Sequence, residues 1–199
     1  MSLTAVFGGT FNPLHIGHYQ MLSVLEKNDK IDEILILPDK IPPHKVCDFL
    51  ADDADRIEMC RLVCEDFSKA KVSLIEFERQ GKSYTYDTVL ALKEKHKDKN
   101  FIFVCGGDMI TSLDKWYCFE KLITEIPFIA FKRNDISDEV FFGKIRELIE
   151  KGADITVFED KITAVSSTVI RRNVEGNKHL LPEKIYKFIK LRGLYESGL

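Results

Sequence analysis

The sequence predicts an α/β fold, a doubly wound and mostly parallel sheet with helices on both faces. Apolar runs at Ala5–Phe7, Ile34–Leu37, Val72–Phe77, Phe101–Cys105, Phe128–Phe131 and Ile155–Phe158 alternate with segments of helical spacing. A length of 199 residues with 45% hydrophobic content suffices for one sizeable core. No linker, repeat or low-complexity tract interrupts the pattern, so a single domain over 1–199 is expected, with a C-terminal helical portion at about 166–195.

The first run, Leu3 to Phe7, ends at Gly8-Gly9, where the backbone can turn tightly and lie close to a ligand. Pro13 delays a helix until about Leu14. Ile16, Tyr19, Met21, Leu22 and Leu25 then recur at mostly helical spacing, which places His15 and His18 three apart on the first turn with both imidazoles facing one way. After the second run, the prolines of Pro38-Asp39-Lys40-Ile41-Pro42-Pro43-His44-Lys45 stiffen a loop that presents His44 and Lys45, and Pro38–Asp48 is a candidate lid. Arg56 to Phe67 reads as a helix from Ile57, Cys60, Val63, Cys64 and Phe67, preceded by the capping candidates Asp52, Asp53 and Asp55. The third run, Val72–Phe77, leads to Ser83-Tyr84-Thr85-Tyr86-Asp87-Thr88, a helix entry rich in capping residues. The fourth ends at Gly106-Gly107-Asp108, with Trp116-Tyr117 following eight residues past Asp108. Ser137 to Lys151 is expected as a helix capped by Ser137 and stopped by Gly152. Beyond the sixth run, Val165-Ser166-Ser167-Thr168-Val169-Ile170-Arg171 opens a helix that carries Arg171 in its first turns. Leu181-Pro182-Glu183 starts a last helix through Leu191, with Gly193 just past its end.

Composition narrows the class. Five cysteines, at 47, 60, 64, 105 and 118, form no C-x-x-C pair and leave an odd count, which suits free thiols in a reducing cytoplasm. Cys60 and Cys64 read as core packing rather than a metal site. With no run of 18 apolar residues and no basic-then-apolar start, a soluble cytoplasmic protein without a membrane partner is expected. The net charge of −3 argues against a nucleic-acid partner while leaving room for a local positive pocket that takes a small anion.

That pocket is expected where the glycine turn meets the paired histidines. A helix start favours phosphate through its open N–H groups, and two imidazoles add donors. A dinucleotide-binding dehydrogenase would need G-x-G-x-x-G after the first strand, and the sequence lacks it. In open α/β sheets ligands bind beyond the carboxyl ends of the strands, so the motifs after the other strands should converge on the same place.

The H-x-G-H that follows G-G-T-F-x-P resembles the signature of the nucleotidyltransferase superfamily, whose fold is Rossmann-like. Taken with P-P-H-K, S-Y-T-x-D-T, G-x-D plus W-Y, and S-S-T-x-I-R in that order, residues 3 to 195 resemble the bacterial nicotinate-nucleotide adenylyltransferase family. The resemblance implies transfer of AMP from ATP to nicotinic acid mononucleotide, giving deamido-NAD and pyrophosphate, with Mg2+ carried mainly by ATP phosphates and no protein metal ligands. It further implies an ATP site of Gly8, Gly9, Thr10, Phe11, His15, His18, Asp108, Ser167, Thr168 and Arg171. Within that site His18 and His15 serve the α-phosphate, and Ser167, Thr168 and Arg171 serve the β- and γ-phosphates. Lys45 is a catalytic cation beside His15, His18 and Arg171. Asp108 serves ribose hydroxyls or a metal-bound water. The acceptor side is expected from Gly8, Lys45, Thr85, Trp116 and Tyr117, with Trp116 stacked on the pyridine ring; Arg172 should face solvent.

The sequence departs from the family pattern at Asn12, where aspartate is frequent, at Val165, where isoleucine is usual, and at Gly107, where threonine is common. Asn12 keeps an acceptor and turn preference, so little effect on the chemistry is expected. The segment Phe131-Lys132-Arg133-Asn134-Asp135 is less typical and is expected to alter loop shape or oligomer contacts, and a homo-oligomer stays open. Alternatives are an adenylyltransferase preferring nicotinamide mononucleotide or phosphopantetheine and, from another class, a nucleotide-binding regulatory protein without turnover.

Overall fold

A computed structural model describes residues 2–41, 49–133 and 135–196. Among these residues six strands, β1 (Ser2–Gly9), β2 (Glu33–Pro38), β3 (Ala70–Val72), β4 (Lys99–Gly106), β5 (Phe128–Arg133) and β6 (Ile155–Ile162), form one sheet in the order β3-β2-β1-β4-β5-β6. Every neighbouring pair is parallel. The expected "mostly parallel" sheet is therefore parallel throughout its described strands. Among the described residues eight α-helices accompany it: α1 (Ile16–Glu26), α2 (Asp53–Cys64), α3 (Thr85–Lys95), α4 (Gly107–Ile110), α5 (Phe119–Glu125), α6 (Asp138–Glu150), α7 (Ser167–Arg172) and α8 (Glu183–Arg192).

Alternate strand residues face opposite sides, and here both sides are apolar. Ala5, Phe7, Ile34, Ile36, Ile102, Val104, Ile129 and Phe131 join a core with residues of α1, α2, α7 and α8. Val6, Leu35, Leu37, Phe101, Phe103, Cys105, Phe128 and Ala130 join a second core with residues of α3, α4, α5 and α6. Strand order reverses at β1, which lies between β2 and β4. The carboxyl ends of β1 and β4 therefore open a crevice at the switch point, the place where such sheets hold ligands.

Four expectations about these elements need correction. The run Val72–Phe77 is not a strand: β3 ends at Val72, and Phe77 N–H closes a turn on Leu74 O at 2.8 Å. The apolar character comes from Ile75, which turns into the second core, and a short apolar run does not distinguish strand from buried turn. Helix α1 begins at Ile16, with His15 as its cap, rather than at Leu14. Helix α2 starts at Asp53 and stops at Cys64; Phe67 N–H bonds back to Cys64 O at 3.0 Å, and its ring packs on Tyr19 from outside the helix. Ser137 caps α6 as expected, accepting from Val140 N–H at 3.3 Å, and Gly193 closes α8 at φ 61°. Pro182 is the cap of α8 rather than a residue within it.

Candidate active site

The crevice is organised by a helix start that uses histidines where serine or aspartate usually serves. His18 N–H donates to His15 Nδ1 at 3.4 Å, and His15 N–H donates to His18 Nδ1 at 3.3 Å, a reciprocal capping box. Two consequences follow. Both Nδ1 atoms act as acceptors, so each neutral ring carries its proton on Nε2 as a donor. The rings also lie nearly parallel, 3.7 Å apart at 18°, as the shared direction expected from their spacing requires. His18 is held further by the edges of Phe7 and Phe11, at centroid distances of 5.9 and 5.2 Å.

The intervening glycine has a steric cause. A Cβ on Gly17 would stand 2.8 Å from the Thr163 carbonyl oxygen, a backbone atom with little room to yield. Upstream, Phe11 adopts φ 48°, a left-handed conformation rare for a bulky residue and frequent at functional sites. Its ring lies where a Gly9 side chain would begin, 3.1 Å from an ideal Cβ.

The S-S-T segment reaches the opening motif from the far end of the chain. Arg171 donates to Asn12 O at 2.8 Å and to Thr168 Oγ1 at 3.3 Å. The Ser167 hydroxyl donates to Pro13 O at 3.0 Å, which makes this residue a strut between the two motifs. Arg172 is exposed, as expected.

Asp108 stands at the end of β4 with an exposed carboxylate 3.3 Å from the Arg133 guanidinium. Arg133 also donates to Val165 O at 3.0 Å, linking the G-x-D turn to the S-S-T segment. Residue 133 thus lies within the site, where an altered loop or an oligomer contact was expected. A Cβ on Gly107 would stand 2.8 Å from Ile136 Cδ1, so Ile136 occupies the space that a larger residue would take.

The residues expected on the acceptor side line a more open wall. Trp116 ends a 3-10 turn, Leu113–Lys115, and meets Phe103 edge-on at 6.0 Å. Phe103 in turn approaches Gly8, where a Cβ would be 3.3 Å from its ring. Tyr117 is 49% exposed and lies against Tyr84 at 4.5 Å, which brings the W-Y and S-Y-T motifs together. A hydrogen bond with Cys118 pushes the Tyr117 phenol up from its ordinary range. Thr85 opens α3 and is half-buried. Behind this wall Lys144 reaches Asp114 at 2.8 Å, and its hydrogen bond holds that carboxyl below the ordinary carboxylate range.

None of the S-Y-T-x-D-T side chains caps α3, contrary to expectation. Ser83 Oγ instead accepts from Lys40 N–H at 3.1 Å, Thr88 bonds the buried Glu76, and the cap position belongs to Tyr84. A hydroxyl near a helix entry is drawn to whatever buried donor or acceptor lies nearest. His44 and Lys45, with residues 42–48 of the expected Pro38–Asp48 lid, lie outside the described residues.

Sequence reasoning missed Arg56 as a site residue. Fully buried, it pairs with Asp53 and donates to Ala51 O, Thr10 O and Asp39 O at 3.2, 3.0 and 2.7 Å. It therefore ties the turn after β1 to the turn after β2. Its sole sequence signal was an arginine at the start of an apolar helical stripe. Cys60 and Cys64 belong to the core region as expected; burial pushes the Cys64 thiol up to about 11 and Cys60 well above its ordinary value. No helix among the described residues is long and apolar enough to cross a membrane.

Comparison with known proteins accords with this arrangement. The cytidylyltransferase-like family model matches residues 6–173. The nicotinate-nucleotide adenylyltransferase of Bacillus subtilis is 38% identical over 200 residues, covering 99% of this chain and 100% of that protein. A probable nicotinate-nucleotide adenylyltransferase of Listeria welshimeri is 37% identical over 190 residues, 96% of this chain and 95% of the relative. Among solved structures, Plasmodium falciparum nicotinic acid mononucleotide adenylyltransferase complexed with NaAD superposes with a TM-score of 0.79 at 22% identity, covering 100% of this chain and 99% of that one.

Proposed function

The chain belongs to the cytidylyltransferase-like family and, within it, to the nicotinate-nucleotide adenylyltransferases, and from that premise we propose how its crevice acts on two nucleotides. It transfers AMP from ATP to nicotinic acid mononucleotide, giving deamido-NAD and pyrophosphate, a step in NAD biosynthesis. One domain spanning 1–199 does this work. The observation that carries the mechanism is the reciprocal histidine cap, set against Arg171 through the Asn12 carbonyl.

The acceptor phosphate is anionic at neutral pH, so it needs no protein nucleophile and no base. One of its oxygens attacks the α-phosphorus, the bond to the β-bridging oxygen breaks, and pyrophosphate leaves with that electron pair. The protein's part is positioning and charge stabilisation. His18 and His15 donate through Nε2 to the α-phosphate as negative charge builds there. Thr168 and Arg171 hold the β- and γ-phosphates of the leaving group, Ser167 braces their segment, and Lys45 supplies a mobile cation. The turn from Gly8 through Gly9 and Thr10 to Phe11 lies beneath the two nucleotides.

Among the described residues no three His, Cys, Asp or Glu side chains group to hold a metal. A magnesium ion would be bound mainly by ATP oxygens and water, where it would neutralise phosphate charge. Asp108 would accept from such a water or from ribose. On the other wall Trp116 stacks on the pyridine ring, with Thr85 and Tyr117 near its carboxylate. The partners are thus ATP and nicotinic acid mononucleotide.

The test is pyrophosphate release with ATP and magnesium, offering nicotinic acid mononucleotide, nicotinamide mononucleotide and phosphopantetheine in parallel. Preference for the first is expected. A different preferred acceptor would overturn the roles of Thr85, Trp116 and Tyr117, and ATP binding without release would overturn turnover itself.

A further inference from the structure

The last turn of α8 and the segment that follows it are anchored at two points, on α2 and on the turn after β1. Arg192 Nε donates to Asp55 Oδ1 at 2.9 Å, and Asp55 is 6% exposed. Three residues later the Tyr195 hydroxyl donates to Asn12 Oδ1 at 2.6 Å, a bond between residues 183 apart in sequence. Between them Gly193 turns at φ 61° and Leu194 packs on the first core. Tyr195 itself holds φ 62°, in the left-handed region that bulky residues avoid unless their surroundings impose it.

Asn12 uses its whole side chain. Oδ1 accepts from Tyr195 and from Ala51 N–H at 3.1 Å, and Nδ2 donates to Phe49 O at 3.1 Å. At 2% exposed, it has little water to replace a lost partner. Its carbonyl is the acceptor for Arg171, and its peptide lies three residues before the histidine cap.

We propose that Tyr195 is a positioning residue for AMP transfer: its hydroxyl holds the Asn12 side chain, and Asn12 fixes the peptide that aims Arg171. The inference rests on the adenylyl-transfer reading above. It also assigns the amide of Asn12 a use that aspartate could not fill, since a carboxylate has no donor for the Phe49 carbonyl. The expected insensitivity to this replacement thus holds for the two acceptor contacts alone.

The test measures kcat, KM for each substrate and thermal midpoint for wild type, Y195F, N12A, N12D and the two double variants. Loss of the hydroxyl alone should lower kcat about tenfold, the scale of a sub-ångström misplacement. The acceptor KM should stay near wild type, and the thermal midpoint should fall by no more than the few degrees that one lost buried hydrogen bond costs. In the N12A background Y195F should have no further effect, because the bond is already gone. In N12D, which keeps an accepting oxygen, the Y195F effect should persist. Wild-type kcat in Y195F overturns the proposal, as does a lowered thermal midpoint with unchanged kcat per folded enzyme, or an additive loss with N12A. Absence of turnover in the wild type would instead overturn the reading on which the proposal rests.

Discussion

The two walls of the crevice are built in opposite ways. On the side proposed for the phosphates, His15, Asn12 and Arg56 are buried, and each makes two or more hydrogen bonds to backbone or to neighbouring side chains. On the side proposed for the acceptor, Trp116 and Tyr117 touch neighbours mainly through ring contacts, and Tyr117 is half exposed. The difference matches the chemistry proposed for each wall. Charge developing on phosphorus calls for donors fixed in advance, whereas a flat pyridine ring needs a face to stack on. Damage to the first wall should therefore appear in turnover, and damage to the second in acceptor affinity.

The largest expected effect comes from His18→Ala, which should cost on the order of 10²–10³ in kcat, the range for losing one preorganised donor. Near wild-type turnover would remove the histidine pair from the chemistry. Gly17→Ala should come next, because its Cβ would stand 2.8 Å from the Thr163 carbonyl. A loss of roughly 1–3 kcal/mol in unfolding free energy is expected from such overpacking, and a denaturant midpoint equal to wild type would contradict the contact. Trp116→Ala should raise the acceptor KM on the order of 5- to 150-fold, by analogy with stacked bases, and leave the ATP KM in place. A change in the ATP KM instead would erase the division between the walls. The smallest effect concerns acid. Asp114 titrates below its ordinary value, so the stability it lends the turn before Trp116 is present above about pH 3.8 and is lost as pH falls through the lowered value. Trp116 fluorescence should report that loss in wild type and not in Lys144→Met; superimposable acid titrations would show that the Lys144 bond does not govern this turn.

Legibility in the sequence divides along the same line. The sheet, its two-faced core and the H-x-G-H turn could be read because they depend on local spacing: Ala5 to Phe7 before Gly8, and His15 three residues before His18. The order of motifs after successive strands then predicted their convergence, and Arg171 and Asp108 lie at the ends of the elements expected to carry them. Arg56, Arg133 and Tyr195 could not be read this way. Each acts through a partner distant in sequence, such as Thr10, Val165 or Asn12, and no local pattern records which carbonyl a folded chain will offer. Val72–Phe77 failed for a related reason, since apolarity reports burial and not the backbone shape that achieves it.

The reciprocal histidine cap has a thermal consequence. The two bonds that begin α1 also set which ring nitrogen carries each proton, and helix ends open at lower free energy than a sheet core. Fraying of this single turn would therefore scramble the donors while the strands are still intact, so activity should be lost on warming before the sheet unfolds.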